Sequence, residues 1–322
     1  MTTPPPTGGK GGRLVEEART PSARSASSTT APWRRKDSYW AVFFLAPQFI
    51  GTVVFTLIPF LLAFALAFTD WNGFGPLRFI GFANFTKQIG DPLFIRAVAN
   101  TLGLAAITVP VGLFLAIVIA VLLNRIRSKT VYMMMFFAPV VTSSVAVALI
   151  WQQLLRVDGA LSTTIAAITG LDSPDWLNDP RLTLIAVSAV TIWSSLGLNV
   201  VIFQAGLQNI SPSVLEAASI DGASALRCFR SVTLPMLSPT IFFQSIIAFI
   251  SSLQAFDIVF VLVKNAGPDN ATRTIVYHIY ELGLEKGQMG MSSAAAVILL
   301  ILSAAITIIQ FGFEKRFVHY EN

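Results

Sequence analysis

Six blocks of mostly apolar residues alternate with polar segments along this chain, over residues 39–68, 97–123, 131–155, 182–207, 236–263 and 291–313. At about 1.5 Å of rise per residue, a helix made from any one of them is long enough to cross a hydrocarbon core about 30 Å thick. The pattern predicts an all-α, polytopic membrane protein with six transmembrane helices. The first and fifth blocks are longer than a crossing needs, which predicts tilt or a kink. Pro47, Pro59, Pro110 and Pro139 lie inside blocks and mark the kink positions.

The polar segments carry turn and cap chemistry. Thr69-Asp70-Trp71-Asn72-Gly73 is a turn with an interfacial tryptophan, and Asp91-Pro92 is a helix start. The loop 264–290 contains a turn at Asn265-Ala266-Gly267-Pro268 and predicts a short interfacial helix over 272–284. The loop 208–235 holds the densest set of signals. Ser211 precedes Pro212 as a cap before a first-turn proline, Ser213 and Glu216 have capping-box spacing, and Gly222 suits a left-handed stop. A second short helix is predicted over 223–229 before Leu234-Pro235 returns the chain to the membrane. On these residues alone, the helix–turn–helix is either an ordinary amphipathic interfacial element or a docking surface for a partner.

Composition agrees with the pattern: 54% of the residues are apolar and 12% are charged. The net charge of +5 is informative through its placement. Of the lysines and arginines, seven lie before the first block, three in 124–130, two in 208–235 and two at the C-terminus, against eight spread over the three alternate loops. The positive-inside rule then puts both termini in the cytoplasm. Residues 1–36, whose first 32 are rich in Pro, Gly, Ser and Thr, read as a disordered cytoplasmic tail, and 37–322 as a transmembrane domain. The first apolar block is too long for a cleaved signal sequence. Basic residues do not interleave with aromatic ones as nucleic-acid binding requires. Cys228 has no second cysteine to pair with and reads as a packing residue. His278 and His319 are predicted on opposite sides of the membrane, and no nucleophile–His–acid set or metal cluster stands out. No phosphate-binding G-x-x-x-x-G-K-[ST] loop is present.

The residues Glu216-Ala217-Ala218-Ser219-Ile220-Asp221-Gly222-Ala223 with Leu234-Pro235 resemble the EAA loop of the carbohydrate-type ABC importer permeases, the maltose and glycerol-3-phosphate family. Further stretches resemble that family in order: Phe68-Thr69-Asp70-Trp71, residues 79–85, Leu122-Leu123-Asn124-Arg125, Ala148-Leu149-Ile150-Trp151, residues 205–210 and residues 256–262. The resemblance spans about residues 39–316. It implies the type I importer permease fold in a bacterial or archaeal cell membrane. It also implies the function: one half of the translocation pathway of an ATP-driven, binding-protein-dependent sugar importer working by alternating access. The implied partners are a second homologous permease, two cytoplasmic ABC ATPase subunits, an extracytoplasmic solute-binding protein, the lipid bilayer and the sugar. No cofactor is implied, and ATP hydrolysis belongs to the separate subunit. Glu216, Ala217, Ala218, Asp221, Gly222, Leu234 and Pro235 are the residues that would couple the permease to the ATPase. A stand-alone ion-coupled secondary transporter is the alternative, although such proteins usually have more spans and repeated halves.

A sugar route needs polar groups facing a wet cavity and aromatic faces. Ionisable residues inside a span are functional candidates by default, and Asp257 is the only acid well inside an apolar block. Ser251, Ser252, Gln254 and Phe256 accompany it, the fourth block offers Ser194, Ser195 and Asn199 after Trp193, and Ser195 and Asn199, four apart, share a helix face. Each suits the substrate pathway, and each suits a structural hydrogen bond between helices. Gly103, Gly112, Gly197 and Gly206 read as close-packing positions.

Overall fold

A computed structural model of the chain describes residues 35–317 except 125 and 127. The expected tail 1–36 lies almost wholly outside the described residues, as do Arg125, Arg127 and His319. The chain divides into two units, residues 1–56 and 57–322. In the first, α1 (Arg35–Thr52) contains Pro47 and is followed by a π-helical turn, Val53–Leu57. None of the described side chains of this unit is buried.

The second unit holds α2 (Ile58–Leu66), α3 (Ala83–Gly90), α4 (Pro92–Leu123), α5 (Lys129–Val141), α6 (Ser144–Leu155), α7 (Ala160–Thr169) and α8 (Pro180–Gln208). It continues through α9 (Pro212–Ile220), α10 (Ala225–Cys228), α11 (Leu234–Met236), α12 (Ser238–Leu253), α13 (Asp257–Leu262), α14 (Ile275–Tyr280) and α15 (Met289–Phe317). Thr69–Asp70 pairs antiparallel with Arg78–Phe79 in a minimal hairpin, a small addition to the all-helical expectation. The core forms where α4 and α8 pack together. One apolar cluster joins Val109, Leu113, Val200, Phe203 and Leu237, and a second joins Leu104, Val147, Val187, Val190 and Leu262.

Among the described residues, four helices are long and apolar enough to cross a membrane: Val42–Leu66, Pro92–Leu123, Pro180–Gln208 and Met289–Glu314. Two bent helix pairs reach the same length and apolarity when each is taken together. Lys129–Val141 and Ser144–Thr169 meet at 99°, and Ala225–Met236 and Ser238–Leu253 at 65°. The third and fifth expected spans are therefore not continuous helices. The third breaks at Thr142-Ser143, just beyond Pro139, where the chain leaves helical geometry (Thr142 ψ 141°). The fifth bends at Leu237 and breaks again between Leu253 and Asp257, with Phe256 at φ −135°. Proline acts unevenly: a π-helical turn precedes Pro59, while α4 continues unbroken through Pro110, so no break follows from that residue.

A broken helix in an apolar setting exposes backbone groups that need partners. Side chains from distant segments supply them. Thr274 Oγ1 donates to the Ala255 carbonyl at 3.1 Å, inside the second break of the fifth span. Gln152 Nε2 donates to the carbonyls of Val261 (3.0 Å) and Leu262 (3.1 Å), closing the end of α13. Asn84 Nδ2 donates to those of Ala67 (3.0 Å) and Thr69 (2.8 Å), just beyond the end of α2. Asn100 Nδ2 reaches the carbonyls of Asn270 (2.8 Å) and Arg273 (3.1 Å). Small residues permit the closest approaches. A Cβ on Gly197 would overlap the Phe136 carbonyl of α5, and one on Gly206 would lie 2.8 Å from Leu237 Cδ1 and Thr240 Oγ1. Gly103 and Gly112 differ from expectation, since a Cβ there meets only ordinary contacts, at 3.5 Å (Leu184) and 3.9 Å (Ile192).

Candidate functional site

The loop after α8 folds as a helix–turn–helix. The serine at the start of α9 does not cap it as the sequence suggests. Ser211 is the cap residue, but its hydroxyl bonds the Ser213 hydroxyl (2.7 Å) instead of a helix amide. That pairing also occupies Ser213, and no capping box with Glu216 forms. The other end is closed by backbone. Gly222 sits at φ 73°, its amide donates to the Ser219 carbonyl (3.1 Å), and the Ala223 amide donates to that of Ala218 (3.0 Å). These two bonds are the Schellman closure, which needs a residue at positive φ. The second helix starts at Ala225, two residues later than expected, because Ser224 caps it by accepting from the Arg227 amide (3.4 Å). A π-helical turn, Phe229–Thr233, then leads to Leu234-Pro235.

Glu216, Ala217, Asp221, Gly222 and Leu234 are exposed, and Ala218 and Pro235 are half-buried. Ile220 is 85% exposed and Leu226 60%, which leaves two large apolar side chains without an intrachain partner surface on a polar loop. A turn closed by backbone hydrogen bonds and carrying exposed apolar and acidic groups has the chemistry of an interface.

The expected pathway residues separate into two sets. Ser195 on α8 is exposed, its hydroxyl donating to the Ile192 carbonyl (3.2 Å). Asn199, one turn later, is buried and accepts a hydrogen bond from Gln244 Nε2 of α12, so it joins two helices of this chain. Four-residue spacing thus does not give these two the same surroundings. Ser251, Gln254 and Asp257 are exposed, and Phe256 is half-buried. Asp257 is not mid-helix as the continuous span implied: it opens α13, directly after the break. Sequence reasoning missed Gln244 and Gln204 (bonded to the Ala120 carbonyl), while Ser252, expected on the pathway, is buried with its hydroxyl paired to that of Thr108 (2.9 Å); these contacts tie α8 and α12 to their neighbours. Polar residues within apolar blocks were the available signal.

The outer loop 264–290 is tightly built. Asn265, Ala266, Asp269 and Asn270 all have positive φ, between 50° and 59°. Short-chain polar residues tolerate that region best, which accounts for three of the four. The expected interfacial helix appears as α14, continued by a π-helical turn, with Thr274 capping the Tyr277 amide (3.2 Å). Beneath it, Arg273 pairs with Glu281, and His278 Nε2 lies 3.1 Å from Gln88 Oε1 of α3. Burial, aided by the Arg273 guanidinium, lowers the His278 pKa to about 4, so the ring is neutral and its 4.0 Å approach to Asp91 is not an ion pair. The hydrogen bond from Arg273 holds the Glu281 carboxyl below its usual range.

A set of long apolar helices, two broken helix pairs and an exposed helix–turn–helix loop define a multi-pass membrane protein. The chain belongs to the family described as the binding-protein-dependent transport system inner membrane component, whose model matches residues 108–319. It is 33% identical over 293 residues to the probable ABC transporter permease protein YesP of Bacillus subtilis, covering 89% of this chain and 94% of that one. It is 36% identical over 298 residues to the diacetylchitobiose uptake system permease protein NgcF of Streptomyces coelicolor, covering 86% and 83%. A solved bacterial ABC transporter involved in the import of the acidic polysaccharide alginate contains a chain of the same fold. Its TM-score is 0.78 at 24% identity, covering 89% of this chain and 99% of that one. The protein is therefore a membrane transport permease with the type I importer fold.

Proposed function

We propose that this chain is the permease subunit of an ATP-driven, binding-protein-dependent sugar importer, forming half of the translocation pathway. The observation that carries the reading is the α9–Gly222–α10 loop, with Glu216, Asp221, Ile220 and Leu226 exposed on a backbone-locked turn. A cytoplasmic ATPase would dock on this loop, with Glu216, Ala217, Ala218, Asp221 and Gly222 at the contact and Leu234-Pro235 passing its movement to α12. The charge distribution supports cytoplasmic termini, and the same logic puts loop 264–290 outside, where a solute-binding protein would dock. The relative named for diacetylchitobiose uptake supports a saccharide as cargo.

Ser195, Ser251, Gln254, Phe256 and Asp257 then face the cavity shared with a second homologous permease, and Asn199 supports that wall from behind. Alternating access follows: the binding protein delivers sugar to an outward-open cavity while ATP closes the ATPase dimer, and hydrolysis returns the permease to its inward-facing state. Family membership disfavours the stand-alone ion-coupled alternative. The test is purification of the tagged chain in mild detergent after expression from its native operon. A second permease and an ATPase should copurify, and Glu216→Lys with Gly222→Trp should release the ATPase. A chain that emerges alone and transports in liposomes without ATP would overturn the reading.

A further inference from the structure

The break in the fifth span gathers four aromatic rings that neither the coupling loop nor the packed core requires. Phe256, the last residue before α13, stacks on Phe260 one turn later, with centroids 5.1 Å apart and planes at 27°. Tyr280, at the end of α14, meets both: 5.2 Å from Phe256 and 5.0 Å from Phe260. Tyr277 backs the group at 6.0 Å from Phe260, with the Arg273 guanidinium 5.4 Å from its own ring centroid. The cluster is graded in exposure. Tyr277 is 6% exposed, Phe256 and Tyr280 are half-buried, and Phe260 is 37% exposed. Tyr277 thus acts as the buried base for Phe260.

The polar residues beside the cluster are the exposed ones. Gln254 and Asp257 flank Phe256 in the chain, and no described residue hydrogen-bonds to or pairs with the Asp257 carboxylate. An unpaired carboxylate accepts two hydroxyl hydrogen bonds, and an amide both donates and accepts. A ring face, negative at its centre, attracts the polarised C–H bonds on one side of a pyranose. Rings and carboxylate together match a sugar, which is apolar on its faces and polar at its rim. The position fits as well. The charge distribution that puts loop 264–290 outside also puts Phe260, four residues before that loop, near the outer end of the fifth span.

We infer that Phe256, Phe260 and Tyr280, with Asp257, form a pyranose-stacking platform at the outer mouth, which receives the sugar before it reaches Ser251 and Ser195. This rests on the sugar-importer reading and adds Phe260 and Tyr280 to it as specificity-determining residues. The four-residue spacing of Phe256 and Phe260 makes the stack possible, and the break lets α14 bring in Tyr280.

The test uses the complete importer in liposomes with its ATPase and binding protein, supplied with diacetylchitobiose, lactose or maltose, and with sn-glycerol 3-phosphate as a ring-free probe. Phe260→Leu and Tyr280→Leu should each lower the maximal uptake of whichever saccharide is carried by about tenfold, with more ATP consumed per sugar delivered. Phe260→Trp should restore uptake, which a purely structural role for this position would not allow in a tightly packed cluster. If the leucine variants fail to assemble, Asp257→Asn, on an exposed side chain, carries the test with the same expected loss. Unchanged saccharide uptake in the variants overturns the platform and leaves the importer reading standing. Wild-type transport of sn-glycerol 3-phosphate alone overturns the sugar reading and the platform with it.

Discussion

Arg273 and Glu281, eight residues apart, form a buried ion pair across the base of α14, with their side chains 6% and 16% exposed. Arg273 is held further by Asn270 Oδ1 (2.9 Å), and Glu281 also accepts Lys286 Nζ at 3.2 Å. The pair fastens the turn with four positive-φ residues to the helix that supplies Tyr277 and Tyr280. Removing Glu281 strands the Arg273 charge, whereas removing Arg273 leaves Glu281 paired with Lys286. Glu281→Leu should destabilise the outer cap by about 3 kcal/mol, Arg273→Leu by less, and the double variant should cost less than their sum. Thermal unfolding of the three variants in one detergent measures the coupling; additive losses would show that the pair is not coupled.

The same cap should weaken in acid. His278 is neutral when folded because burial lowers its pKa to about 4 from 6.5. A folded-state pKa below the unfolded value gives stability that is fully present above about pH 6.5 and is lost as pH falls towards 4. The loss should be about 2 kcal/mol by pH 5 and about 3 kcal/mol in full. Glu281, also lowered, works in the same direction further into acid. His278→Gln should flatten the fall in melting temperature between pH 7.5 and 5. A variant with the wild-type slope would place the titrating group elsewhere.

The buried Asn199–Gln244 hydrogen bond joins α8 to α12 behind the expected pathway wall. Interhelical hydrogen bonds in membranes contribute about 0.6 kcal/mol on average and at most about 2 kcal/mol. A double-mutant cycle with Asn199→Leu and Gln244→Leu should therefore give a coupling near 1 kcal/mol. Uptake kinetics should change through altered helix packing, without the selective saccharide effect expected of Phe260. A large change in sugar preference in Asn199→Leu would mean that Asn199 touches the substrate.

Much of this architecture is legible in the sequence because it is local. The apolar blocks, the Asp91 cap on Leu93 (2.9 Å) and the left-handed Gly222 all follow from residues within a few positions of one another. The breaks are not local. Apolar periodicity runs straight through Leu253–Phe256, and the group that satisfies the opened Ala255 carbonyl is Thr274, on another segment. The same holds for Gln152, which closes a helix end more than a hundred residues away. At the candidate site, Phe256 and Asp257 could be picked out by residue type, but Tyr280 joins Phe260 only through tertiary folding. Ser195 and Asn199 illustrate the limit: helical spacing sets their angular relation, while a neighbouring helix decides which one is covered.

Gly197 offers a test of packing apart from function. Its Cβ position is filled by the backbone of Phe136 and Phe137, so a side chain there forces α5 away from α8. Backbone cannot move aside as a flexible side-chain end can. Gly197→Ala should lower stability by about 1–3 kcal/mol, and Gly197→Leu should prevent a folded permease from accumulating. Gly112→Ala, meeting only Ile192 at 3.9 Å, should be neutral. Size-exclusion profiles of the three variants distinguish these outcomes, and a well-folded Gly197→Leu would refute the close approach of the two helices.

Gly222 separates conformation from contact. A Cβ there meets nothing within 4 Å, so the intrachain cost of a side chain comes from φ 73° alone, about 1–2 kcal/mol for most residues. Asn tolerates that region, so Gly222→Asn should keep the Schellman closure and most of the binding-protein-stimulated ATPase activity. Gly222→Val should open the turn and lose stimulation together with loop order. Gly222→Trp should still insert and fold, because the space around it in the free chain is open, yet it should lower stimulated ATPase activity at least tenfold by obstructing the docked partner. The decisive comparison is Asn against Trp, measured as stimulated ATPase activity of the reconstituted complex alongside the amount of ATPase retained on purification. Full activity with tryptophan at this position would remove the loop from the ATPase interface.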